Sequence, residues 1–147
     1  VLVILYPRIS AAVARGRAPD RALLKATVVI VGTTATLTIL YFLFGASLVR
    51  LLFGPGYPHA APLLGWMGVA MVGYGITAIW MNLFLATDAW PFVLLLAGTA
   101  ILQYALFSGY HASLQSIALL FGIGGWLPAV AGLLLYLLWL RPRLVTR

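Results

Sequence analysis

The sequence predicts an all-α membrane protein, a polytopic bundle of transmembrane helices. Three observations lead there. First, 64% of the residues are hydrophobic and only 7% are charged, with a mean hydropathy of +1.10. That leaves too little charge to cover a water-soluble domain of this size. Second, four uncharged apolar runs, residues 26–48, 60–86, 91–110 and 116–140, each have the length needed to cross a hydrocarbon core of roughly 30 Å. Third, none of the runs alternates apolar and polar residues with period two, so a closed β-barrel, the other architecture that satisfies its backbone in lipid, is not encoded.

Taken in order, residues 1–6 (VLVILY) carry neither a charged lead nor a small-residue cleavage site, and they read as the end of a fifth span whose start lies upstream. Residues 7–25 form a basic connection with Arg8, Arg15, Arg17, Arg21 and Lys25. Within it, Pro19 and Asp20 have the wording of a helix start, a carboxylate meeting the positive dipole end. Arg17, Arg21 and Lys25 recur every fourth residue, which makes either an ordinary solvated topology signal or a basic helical stripe on anionic lipid. Residues 49–59 hold Gly54, Pro55, Gly56 and Pro58, which stop a helix. Pro62 suits the first turn of the next span. Residues 87–90 and 111–115 are tight links, and residues 141–147 are a basic tail. Links this short make consecutive spans antiparallel. Both basic ends then share one face of the membrane, eight of the nine Lys and Arg residues lie on it, and only Arg50 lies on the other. The positive-inside rule makes that shared face cytoplasmic, in the plasma membrane.

Composition also narrows the function. The net charge of +7 sits at the ends of apolar runs, where lipid headgroups and orientation account for it without nucleic acid. There is no cysteine, so thiolate chemistry is excluded. Asp20 and Asp88 both fall in connections, so no span holds a catalytic carboxylate pair, and no phosphate-cradling Gly-rich loop of the Walker type occurs. His59 and His111 share the outer face but have no third metal ligand nearby. Neither an enzyme nor a cofactor is expected.

Two stretches bear a resemblance to known proteins. LVRLLFGPGYPHAAPLLGWM, residues 48–67, resembles the turn between spans of polysaccharide flippases in the multidrug/oligosaccharidyl-lipid/polysaccharide exporter superfamily. LYPRISAAVARGR, residues 5–17, is similar to a helix end followed by a basic cytoplasmic stretch in the same proteins. The order and spacing agree, with one span between the two. The resemblance implies the C-terminal part of the second lobe of a bacterial two-lobed transporter, with the first lobe as a missing partner. It implies flipping of a polyprenyl-diphosphate-linked oligosaccharide at the inner membrane, with the glycan in a hydrated cavity and the tail in lipid. Drug extrusion by the same superfamily and a small four-helix structural membrane protein are the alternatives.

Four side chains are candidate substrate contacts. Arg50 is the lone outer cation, a snorkelling residue or an anion site at the mouth of a cavity. Arg8 is its counterpart on the entry side. Asn82 and Gln103 are polar within spans, and they bond a neighbouring helix or face sugar hydroxyls. Trp80 and Trp126 lie deep enough to pack in a core or to stack on a sugar. Gly65, Gly68, Gly73 and Gly75 permit close helix contact, while Gly122, Gly124, Gly125 and Pro128 serve packing or a bend in the last span.

Overall fold

The computed structural model describes residues 7, 9–11, 20–57, 60–109 and 113–145. Residues 1–6, Arg8, Arg15, Arg17, Pro19, Pro58, His59, His111 and Arg147 lie outside them, and so does every expectation that rests on those residues. Four long helices follow one another: α1 (Asp20–Phe53), α2 (Ala60–Ala86), α3 (Trp90–Gly109) and α4 (Leu114–Leu135). A π-helical turn (Tyr136–Leu140) and a short α5 (Arg141–Val145) continue the last of them. No strand occurs among the described residues. All four helices are long and apolar enough to cross a membrane. Their outward faces carry Leu43, Ile101 and Leu138, each about 70% exposed or more. So much exposed aliphatic surface is stable against lipid and not against water.

The helix ends follow local chemistry. α1 is helical from Asp20, the first residue described after position 11, and Arg21 and Lys25 belong to this same continuous helix rather than to a separate interfacial one. At its other end α1 runs past Arg50 to Phe53, so residues 49–53, expected in the connection, are helical. Leu51, Leu52 and Phe53 have no reason to leave the helix. Gly54 does: its φ of +80° is a left-handed cap, and its N–H bonds the Arg50 carbonyl at 3.0 Å. α2 ends with Asp88 in the left-handed region at φ 50°. The Ala89 N–H reaches back to the Phe84 carbonyl at 3.0 Å, and both of those side chains are buried. This is a Schellman cap built on aspartate where glycine is usual. Ser113 caps α4, its hydroxyl accepting from the Ser116 N–H at 3.1 Å, so the helix starts at Leu114, two residues ahead of the apolar run. Pro128 lies inside α4 without ending it. The π turn stands directly before Pro142, which has no N–H and crowds the carbonyl four residues back. There the Arg141 N–H bonds the Tyr136 carbonyl instead, five residues back.

The helices stand side by side in the order α1, α2, α4, α3. α3 packs mainly on α4, and it also meets α2, for one where Phe92 stacks on Phe84 at 4.5 Å. α1 and α2 are antiparallel: Phe42 lies on Gly65, Thr38 on Gly68 and Ile30 on Gly75. These α2 positions are spaced by three and by seven, the spacing of a heptad seam, with small residues at the crossing. α2 and α4 are parallel, with Gly73 against Gly125 and Trp80 against Gly132. Side-chain hydrogen bonds lock this pair, from Thr77 Oγ1 to the Gly125 carbonyl at 3.1 Å and from Trp126 Nε1 to the Val69 carbonyl at 3.0 Å. The main core lies at one end of the row, where Ile79, Trp80, Leu83, Phe84, Phe92 and Tyr136 pack together. At that end Asp20 of α1 accepts a hydrogen bond from the Tyr136 hydroxyl and pairs with Arg141 at 3.4 Å. The start of α1 and the end of the last span therefore share one end of the row, as an even number of spans requires.

Candidate functional site

The end of the row away from the aromatic core is loosely filled, and Arg50 lies there. The left-handed Gly54 turns the chain out of α1. Phe53 and Tyr57 then pack edge to face at 6.4 Å, and the Tyr57 carbonyl accepts the first N–H of α2, from Ala60, at 3.2 Å. Between the last turn of α1 and this turn lies a cavity of about 270 Å³ lined by Ala46, Val49, Arg50, Gly54, Tyr57 and Ala61. Arg50 is exposed on its wall. Among the described residues the one ion pair is Arg141 with Asp20, at the other end, so no carboxylate neutralises Arg50. A cation in the last turn of a helix is favoured by the dipole. Its side chain has no ion pair among the described residues and can offer its donors to a phosphate or carboxylate.

A larger cavity of about 650 Å³ opens at the same end, between the first turns of α2 and α4. Pro62, Leu63 and Trp66 line one side, and Ser113, Gln115 and Leu119 the other. Trp66 is half exposed and packs edge-on against Phe42 at 6.3 Å. An aromatic face opposite an amide and a hydroxyl suits a polar ring with apolar edges. Sequence reading missed this grouping, because Gln115 sits in a link and Trp66 reads as a boundary residue. Only the parallel packing of α2 on α4 brings them together.

The other candidate side chains do not join Arg50. Gln103 is on α3, where its Nε2 donates to the Tyr74 hydroxyl of α2 at 3.0 Å and its amide covers Gly124 of α4. It bonds a neighbouring helix, one of its two expected roles, beside a gap of about 10 Å³, close to the room one water needs. Among the described residues Asn82 bonds its own helix rather than a neighbour: its Nδ2 donates to the Ala78 carbonyl at 2.8 Å. The reason is that Ala78 is one turn back on α2, within reach of a short amide side chain. Thr34, Thr36 and Thr38 back-bond in the same way, at 2.7 to 2.8 Å. Trp80 is buried against Tyr136 with ring centroids 5.6 Å apart, so it is a core residue far from Arg50. Trp126 is 38% exposed, with its N–H already held by Val69.

The chain matches no protein-family model, no curated protein and no solved structure.

Proposed function

We propose that this chain is part of a membrane transporter that moves a lipid-linked, anionic glycan precursor across the plasma membrane, toward the face on which Arg50 lies. The observation that carries the reading is the Arg50 cavity. Val49, Arg50, Gly54, Pro55, Tyr57 and Ala61 of its lining belong to the stretch 48–67 that resembles the polysaccharide flippases, and its wall holds an exposed guanidinium with no carboxylate partner among the described residues. A diphosphate leaving the protein needs such a group at the exit. The neighbouring cavity with Trp66, Ser113 and Gln115 offers the mixed surface a sugar would use. Carrying a glycan and diphosphate through hydrocarbon unaided strands many polar groups at several kcal/mol each, and this is the barrier the protein lowers. In this reading both chain ends are cytoplasmic, because the basic residues at the α1 start and the last span's end share one face.

The test is transport of a labelled lipid-linked oligosaccharide in inverted membrane vesicles containing the protein at the length its gene encodes. Arg50→Ala is expected to lower the rate several-fold at unchanged abundance, and Arg50→Lys to keep most of it. Full activity with alanine overturns the role of Arg50. Export of cationic dyes without glycan transport replaces flipping by drug extrusion.

A further inference from the structure

A second feature lies at the opposite end of the row and has no part in that site. α1 and α4 flank α2 without packing closely on each other, which leaves a groove of about 360 Å³ with Ile76 and Trp80 of α2 as its floor. Its walls are Leu23, Leu24 and Thr27 on one side and Val130, Leu133 and Leu137 on the other. Leu24, Val130, Leu133 and Leu137 are 44–65% exposed, so the groove opens sideways toward the membrane.

From these features we propose that the groove is a binding site for one acyl chain of an anionic phospholipid from the surrounding leaflet. Its depth selects the occupant. From Leu137 down to Trp126 the helix rise gives about 16 Å, close to half of a hydrocarbon core of roughly 30 Å. A transmembrane helix of a partner or a second copy needs a furrow along the whole core. This one stops at Trp126, whose indole is tied to Val69 across the α2–α4 seam. A single acyl chain needs one leaflet and no more. Charge selects the headgroup. At the mouth, Asp20 is already engaged by Tyr136 and by Arg141, whose guanidinium is half exposed. Arg21 shares the first turn of α1, and Arg143 lies over the Trp139 ring at 4.0 Å in α5. Cations at headgroup level above an apolar slot match a phosphodiester above a hydrocarbon tail.

Native mass spectrometry tests this on the full-length protein released from nanodiscs of equal phosphatidylglycerol and phosphatidylethanolamine. The expected spectrum is a monomer retaining one phospholipid, phosphatidylglycerol favoured about five-fold, the scale of one cation near a headgroup. Leu133→Trp and Val130→Trp each fill the groove from an exposed rim and are expected to remove the adduct. Gly122→Trp, where no atom lies within 4 Å of an added Cβ, adds the same ring elsewhere and is expected to keep it. Arg141→Gln is expected to reduce the anionic preference while leaving a lipid bound. An adduct that survives either groove-filling variant overturns the proposal, as do equal retention of the two lipids by the unaltered protein and a lipid-free dimer. The dimer would mean that a second copy covers the face.

Discussion

The Gly73–Gly125 crossing is where one methyl group should matter most. A Cβ added at Gly73 would lie 2.7 Å from the Gly125 carbonyl carbon and 2.9 Å from the Trp126 nitrogen. Both are backbone atoms, so no side chain can turn aside. Reaching an ordinary contact of 3.4 Å requires α2 and α4 to part by about 0.7 Å. The two hydrogen bonds across the seam, now 3.1 and 3.0 Å, would stretch beyond useful length. Interhelical bonds in membranes average about 0.6 kcal/mol each, and overpacking adds about 1–3 kcal/mol. The better helix propensity of alanine returns up to about 1 kcal/mol. Gly73→Ala is therefore expected to destabilise the protein by about 1.5–3 kcal/mol, read from SDS-driven unfolding in mixed micelles by tryptophan fluorescence. Gly122→Ala, in open space, should be neutral or slightly stabilising. A Gly73→Ala protein within about 0.5 kcal/mol of the parent, or one no worse than Gly122→Ala, would refute the close-crossing argument.

Other perturbations have equally definite outcomes. Asp88 holds a positive φ that β-branched residues resist, so Asp88→Gly should stabilise by about 0.5–1 kcal/mol and Asp88→Val should destabilise by about 1–2 kcal/mol in the same unfolding assay. Asp20→Ala removes the clasp to Tyr136 and Arg141. Because the Asp20 and Arg141 side chains are half exposed, about 1 kcal/mol should be lost, with faster hydrogen exchange confined to the first turn of α1 and residues 136–141. The Gln103–Tyr74 bond should give a coupling near 0.6 kcal/mol in a cycle of Gln103→Leu and Tyr74→Phe. A Gln103→Leu protein that loses transport but no stability would reassign the amide to substrate.

Much of the chain could be read directly because the signals are local. Span number and rough limits follow from apolar run length, since lipid admits no unsatisfied backbone. The helix end near Gly54 was visible in the Gly-Pro-Gly wording. The errors were of a few residues. Arg50 looked like the end of a span, but α1 continued to Phe53, where only the glycine after it could adopt the left-handed cap. Nothing in the sequence marked Asp88 as a Schellman cap, because aspartate in that role depends on how Ala89 packs against Phe84.

The candidate sites were legible only in part. Arg50 stood out as a lone cation, and the structure places it on a cavity wall. Gln103 and Asn82 looked alike, yet one bridges two helices and the other bonds its own. Nothing in the sequence grouped Trp66 with Ser113 and Gln115.

Composition and apolar run length are enough to make the chain helical, to give it four helices suited to a bilayer, and to gather most of its charges on one face. Those properties depend on the free energy of each segment in its solvent, which composition sets. Tertiary structure alone decided that α4, and not α3, lies beside α2. It also decided that the apolar groove runs one leaflet deep and that the polar groups of two distant turns face one cavity. Helices that are apolar all round carry no stripe to announce their neighbours. Their order is chosen by where glycines let backbones approach, and that fit exists only between surfaces already folded.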